Sequence, residues 1–279
     1  MRLSNPIKKN QKGTTVITNF FKIDDGQKLA FSQVIADKNG KNLPGVVFLS
    51  GLKSDKEGTK AVFLSNWAEK NNRDFLRFDY RGHGDSSGSF EETSISNWLD
   101  DTIKIIMGLT SGPQILVGSS LGGWISLLFT RLYPQKVAGI IGIAAAPDFT
   151  SKYSTNNLTL EQRRELKNTG KLSFHSEYFE QPLTITQKLI EDGNKNLVLT
   201  EEQNINCPVR LFHGSLDDDV PISTSIEILK KMRSYDMHLQ IIKGIDHRFS
   251  TPECLQLIED AIEHVSLAYK YSHKDNNEA

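Results

Sequence analysis

The chain has 279 residues, of which 38% are hydrophobic and 24% charged, and its formal net charge is -1. That length suits one large domain, with room for an inserted subdomain. The near-zero charge excludes the broad positive field by which proteins hold nucleic acid or anionic lipid. Cys207 and Cys254 stand far apart, and the seven histidines are scattered, so no metal-ligand spacing appears and reduced, structural thiols are expected. The opening MRLSNPIKKNQKG is basic but lacks the apolar core of a secretory signal, and no run is long and apolar enough to span a bilayer. No acidic residue precedes Asp24, which suits a transit peptide, yet strand-like sequence from Thr14 leaves little to remove. The expected setting is a reducing cytoplasm.

In chain order, TTVITNFFKI and KLAFSQVIA flank DDGQ and predict an antiparallel hairpin about an Asp-Gly turn. The pattern then changes. GVVFLSG (45–51) reads as a buried strand, 58–71 as a helix carrying Ala61, Phe63, Leu64, Trp67 and Ala68 on its apolar positions, and DFLRFDY as a strand. Residues 94–109 are helical in period, ILVGS is another buried strand, and Leu121 to Tyr133 is an apolar helix closed by Pro134. VAGIIGIAAA, PVRLFHG and HLQIIKG add strands, and helices are expected near 222–234 and over 251–268. Continuous apolar strands alternating with helices predict an α/β fold, a mostly parallel sheet covered on both faces.

One segment interrupts the alternation. From Pro147 to Leu199 the sequence is polar and helix-prone, with the aromatic patch FHSEYF in its middle. A connection that long with structure of its own reads as a helical lid over 147–199, inserted into a single domain of residues 1–279. Residues 1–13 and 269–279 are expected to be solvated tails.

Gly118-Ser119-Ser120-Leu121-Gly122 fits G-x-S-x-G between a strand and a helix. A strand that turns sharply into a helix leaves no space for side chains two positions before and after the apex. Registering the pattern on Ser120 places glycine at both positions, whereas Ser119 would place Val117 and Leu121 there. Ser120 is therefore the candidate nucleophile, although the same letters also describe a plain glycine-serine turn.

A serine hydroxyl needs a base, and the base needs a carboxylate to orient it. His247, in IIKGIDHRFS, lies just past the last predicted strand. LFHGSLDDDVP offers Asp217, Asp218 and Asp219 as the acid, and the residues alone leave that choice open. The order Ser, Asp, His matches the α/β-hydrolase arrangement. Backbone N–H groups of Leu121 and of Leu52, in SGLKSD, are the expected donors to a developing oxyanion. FDYRGHGDSSG matches no phosphate-binding or dinucleotide fingerprint and is assigned a structural turn.

With those residues in place, the chain resembles the α/β-hydrolase superfamily over roughly 14–268. SGLKSDKEGTKAVFL, RFDYRGHGDSSG, VGSSLGGW and HGSLDDDVP with the later DHR resemble the branch of mitochondrial palmitoyl-protein thioesterase and acyl-glucuronide esterase and its bacterial relatives. Ser54 to Ala61 is the most branch-specific run. The resemblance implies Ser120 as nucleophile, His247 as base and Asp217 as acid, with the extra acid Asp219 a departure that keeps Asp218 and Asp219 as alternatives.

The expected activity is hydrolysis of carboxylic ester or thioester bonds through an acyl-enzyme, on a small acyl substrate or an acylated protein, with no cofactor and no metal. Tyr153, Phe174, Tyr178, Phe179 and Leu183 of the insertion are expected to line an acyl pocket. Carbon–carbon bond hydrolysis of ring-fission products, peptide hydrolysis and a non-catalytic ligand-binding role remain alternatives on the same fold.

Overall fold

The computed structural model describes residues 7–9, 15–23, 26–38, 40–154, 156–174 and 182–274. An eight-stranded sheet forms its centre. Its strands are β1 (Asn19–Lys22), β2 (Lys28–Val34), β3 (Gly45–Leu49), β4 (Phe75–Phe78), β5 (Gln114–Ser119), β6 (Val137–Ile143), β7 (Val209–Gly214) and β8 (Met237–Ile242). They lie in the order β8-β7-β6-β5-β3-β4-β2-β1. β1 and β2 pair antiparallel, as does β2 with β4, and every other pair in the sheet is parallel. This is the α/β-hydrolase fold, with the antiparallel hairpin where the sequence places it. Asp24 and Asp25 of the expected turn lie outside the described residues.

The continuous apolar runs are explained by burial on both sides: all residues of β3, β4, β5 and β6 are buried. Against one face pack α2 (Ile95–Leu109) and α3 (Leu121–Leu132), whose Trp98, Ile105, Trp124 and Leu128 join Leu49, Leu76 and Leu116. Against the other lie α1 (Thr59–Lys70) and α7 (Pro252–Lys274), where Leu64, Trp67, Ile258 and Val265 meet Val46, Ile115 and Ile141. Structure reaches further into both ends than the expected tails. Ile7–Lys9 pairs with Thr15–Ile17, and α7 runs past residue 268 because Tyr269 still packs against the core.

Residues 147–199 are not wholly helical. They hold a 3-10 turn (Phe149–Tyr153), α4 (Leu160–Thr169), an antiparallel ribbon of Lys171–Phe174 with Leu183–Thr186, and α5 (Gln187–Gly193). The ribbon forms because LTIT alternates apolar and β-branched residues, and its Ile185 and the facing Leu172 are buried. Polar contacts hold the segment's base. Asp148 accepts the N–H groups of Val198 and Leu199 at 2.9 and 2.8 Å, closing the two ends of the segment on each other, and Trp124 Nε1 of α3 donates to the Asn196 carbonyl at 3.0 Å, joining it to the body.

Two constraints shape the sheet edge that carries the chemistry. At Ser120 the backbone adopts φ 52°, ψ -115°, a left-handed conformation that costs a non-glycine residue about 1–3 kcal/mol. Crowding holds it there: a Cβ on Gly118 would strike the Gly122 carbonyl, and one on Gly122 would strike the Leu49 carbonyl.

Beside it, the loop after β3 is pinned by a buried lysine. Lys56, 1% exposed, places Nζ 2.9 Å from Asp85 and 3.4 Å from Asp79. Its backbone N–H donates to Asp79 Oδ1 at 2.6 Å, and its carbonyl accepts from Arg77 at 2.6 Å. Burial alone would lower the Lys56 pKa, but the carboxylates of Asp79, Asp85 and Glu57 outweigh it and hold the ammonium charged.

Gly122→Ala is therefore expected to cost about 1–3 kcal/mol of stability by overpacking, read as a lowered urea midpoint. Lys56→Met, which strands buried carboxylates, should cost about 3–5 kcal/mol. Wild-type midpoints in either variant would contradict these assignments.

Candidate active site

A hollow of about 390 Å³ opens above the ends of β3 and β5. Ser120, Leu121, Leu52 and His247 all line it, so the fold gathers residues that the sequence separates by up to 195 positions (from Leu52 to His247). Ser120 sits at the apex between β5 and α3, its N–H donating to the Ile143 carbonyl at 2.9 Å and its carbonyl accepting from Gly123 and Ala146 at 3.0 Å each. Those three bonds are how neighbouring β6 and α3 fix the strained apex. Ser119 is the last residue of β5 and keeps extended geometry, so the two adjacent serines differ in backbone state.

Of the three adjacent aspartates, Asp217 is the one placed beside His247. Asp217 Oδ2 lies 2.8 Å from His247 Nδ1, and its carboxylate is fully buried. The same oxygen is 3.2 Å from His213 Nε2. Oδ1 accepts the N–H groups of Asp219 at 3.0 Å and Val220 at 2.8 Å. Burial alone would raise the Asp217 pKa, but the hydrogen bonds from His213, His247 and Val220 outweigh it and hold the carboxyl well below the ordinary range. Asp218 and Asp219 are exposed and line the hollow, without occupying the position beside His247 Nδ1 that Asp217 takes.

His213, at the end of β7, is a residue that the sequence alone does not single out. It is completely buried, with Nδ1 2.7 Å from Ser225 Oγ and Nε2 2.9 Å from the Val220 carbonyl. With carbonyl and carboxylate oxygens both facing Nε2, the proton belongs there and Nδ1 accepts from Ser225. The imidazole thus braces the Asp217 loop from beneath. The signal available in sequence was its position at the end of an apolar strand, four residues before the acid.

On the other side of His247, Lys60 Nζ donates to the Arg248 carbonyl at 2.5 Å and ties α1 to the histidine loop. Burial pushes the Lys60 ammonium down to about 8. Of the expected acyl-pocket residues, Tyr153, Phe174 and Leu183 do line the hollow, joined by Phe149. Tyr153 and Phe174 pack with ring centroids 5.0 Å apart and planes tilted by 43°. Tyr178 and Phe179 lie outside the described residues.

The arrangement supplies a hydroxyl on a strained turn and an imidazole whose Nδ1–H is committed to a buried carboxylate, leaving Nε2 to accept a proton. It also supplies backbone donors at the start of a helix, where N–H groups lack intrahelical partners. Such a set suits nucleophilic acyl transfer. Among the described residues, no cluster of three or more His, Cys, Asp or Glu is placed to hold a metal ion. Burial pushes the Cys207 thiol up to about 12, which makes it a packing residue.

Comparison with known proteins agrees with this chemistry. The family model described as serine aminopeptidase, S33 matches residues 43–192. Human mitochondrial palmitoyl-protein thioesterase ABHD10 is 35% identical over 253 residues, covering 89% of this chain and 81% of that protein. Among solved structures, a hydrolase from Agrobacterium vitis S4 superposes with a TM-score of 0.83 at 32% identity, covering 94% of this chain and 99% of the other. Mouse α/β-hydrolase domain-containing protein 10 does so with a TM-score of 0.80 at 31% identity, covering 89% and 99%. These relatives correct the expected cytoplasmic setting, because the matched palmitoyl-protein thioesterases of cattle, orangutan and human are mitochondrial proteins. Buried free thiols, and the lack among the described residues of a helix long and apolar enough to cross a membrane, do not discriminate between reducing compartments. The sheet order, the strained serine turn and the matched relatives agree, and the chain belongs to the α/β-hydrolase superfamily as a serine hydrolase of ester or thioester bonds.

Proposed function

We propose that Ser120, His247 and Asp217 form the catalytic triad of an acyl ester and thioester hydrolase whose substrates carry an aliphatic acyl group. Ser120 Oγ attacks the acyl carbonyl while His247 Nε2 takes its proton. His247 then returns the proton to the departing alkoxide or thiolate, and water releases the acid from the acyl-enzyme by the same route. Asp217 holds the imidazole in the required tautomer and stabilises the imidazolium. The N–H groups of Leu52 and Leu121 receive the oxyanion, where one such donor contributes about 100- to 1,000-fold in rate.

The observation that carries this reading is the Asp217–His247 hydrogen bond facing the same hollow as the strained Ser120. Phe149, Tyr153, Phe174 and Leu183 give that hollow an apolar side suited to an acyl chain, while Lys60 and Arg248 give it a cationic one. The palmitoyl-protein thioesterase relatives support a fatty acyl thioester as the substrate class.

A fluorophosphonate probe is expected to label the wild type and not Ser120→Ala; folded wild-type protein that stays unlabelled would overturn the reading. Asp217→Asn should lower kcat by about 10⁴-fold, with Asp218→Asn and Asp219→Asn close to wild type. A larger loss at Asp219 than at Asp217 would reassign the acid.

Acid stability follows from the same carboxylate. The Asp217 pKa is depressed in the folded protein relative to about 3.9 in the unfolded chain. Its contribution is therefore present above that value and is lost as pH falls towards the folded value. The difference in urea midpoint between wild type and Asp217→Asn should accordingly be largest near neutrality and shrink below about pH 4. A difference that stays constant with pH would contradict the assignment.

A further inference from the structure

The hollow over Ser120 has a neighbour. A second hollow, also of about 390 Å³, lies between the 3-10 turn at Phe149–Tyr153, the end of the insertion and the start of α6 (Ile222–Lys231). Ala146, Phe149, Lys152, Asp219 and Val220 line both spaces. A wall shared over five residues makes the two hollows direct neighbours. Beyond the wall, Pro147, Leu197, Leu199 and Pro221 make the second hollow largely apolar, with Thr224 and Glu227 of α6 on its flank. The carboxylate of Asp148, which also lines it, is occupied by the Val198 and Leu199 N–H groups.

We propose that the two hollows are one two-chambered acyl site, in which the distal end of a long acyl chain passes between Phe149, Lys152 and Asp219 into the second chamber. The proposal rests on the reading of Ser120 as the nucleophile, which fixes the carbonyl end of the chain in the first.

Three features support this path. Lys60 and Arg248, the cations beside His247, line the first hollow and not the second, where Pro147, Leu197, Leu199 and Pro221 offer an apolar surface beyond the charged divider of Lys152 and Asp219. The dividing residues Lys152 and Asp219 are exposed, Lys152 on a long flexible stem and Asp219 on a short one that can change its χ1 rotamer, so both can turn aside without moving the backbone. The backbone at Asp219 is held by its N–H bond to Asp217 at 3.0 Å, so passage of the chain leaves the triad in place. The divider is also where this sequence carries its additional acid, giving Asp219 a role in substrate length that is separate from proton transfer.

The thermodynamic consequence is chain-length dependence. Each methylene withdrawn from water contributes roughly fourfold in affinity, so a chamber that accepts the tail gives the enzyme a preference for long chains. Blocking that chamber alone should remove the preference and leave short substrates untouched.

Leu199→Trp and Thr224→Trp each fill the second hollow from opposite walls without lining the first. The test compares kcat/KM for p-nitrophenyl butyrate, octanoate, laurate and palmitate. With butyrate, both variants should match wild type, which also reports that they are folded. For laurate and palmitate, kcat/KM should fall by about tenfold or more through KM. Lys152→Ala, which widens the passage, should shift the preference towards palmitate. Parallel length profiles in wild type and both tryptophan variants would overturn the two-chambered site. If one tryptophan variant fails to turn over butyrate, the other reads the same chamber from its opposite wall; if both fail, an unshifted profile in Lys152→Ala overturns the proposal. Retention of butyrate turnover by Ser120→Ala would instead overturn the nucleophile assignment beneath it.

Discussion

The active edge of this molecule depends on a lack of room beneath Ser120. β5 must turn into α3 so tightly that Gly118 and Gly122 have carbonyl oxygens where a Cβ would be. That crowding forces the residue between them into φ 52°, a state costing about 1–3 kcal/mol. The strain is held by the N–H and carbonyl bonds of Ser120 to Ile143, Gly123 and Ala146. Its result is a hydroxyl carried above the sheet, at the first turn of a helix.

The remaining parts solve a different problem, that of keeping charges beside the hydroxyl in defined states with little water. Asp217 is buried yet kept ionised because both oxygens are saturated, one by two imidazoles and the other by two backbone N–H groups. Lys56 is buried yet charged because three carboxylates surround it, and through its own N–H and carbonyl it fixes the loop that brings Leu52 towards Ser120. Each buried charge therefore does double duty, neutralising a partner and tethering a loop.

Much of this was legible in sequence because the relevant forces are local or periodic. Apolar runs without alternation identified β3, β5 and β6, and the positions of Leu64, Trp67, Trp98 and Ile105 identified the buried faces of α1 and α2. Ser120 was separable from Ser119 because glycine spacing encodes close backbone approach. What sequence could not choose was Asp217 among three adjacent aspartates, since that choice depends on a 2.8 Å contact across 30 residues. His213 and Lys56 were missed for the same reason: their partners are assembled only by the sheet. In the insertion, the ribbon over 171–174 and 183–186 escaped notice because its strands are short and its pairing partner lies beyond an aromatic stretch. Cellular setting was beyond reach because cysteine usage and hydropathy report redox state and membrane spanning, not compartment.

The central claim is that the strained residue, and not its neighbour, takes the acyl group. Its most direct measurement is acid quenching of wild-type protein during turnover of a palmitoyl thioester, followed by peptide mass spectrometry across QILVGSSLGGW. The account predicts a palmitoyl ester confined to Ser120. An acyl group on Ser119, or turnover with neither serine acylated, would contradict it.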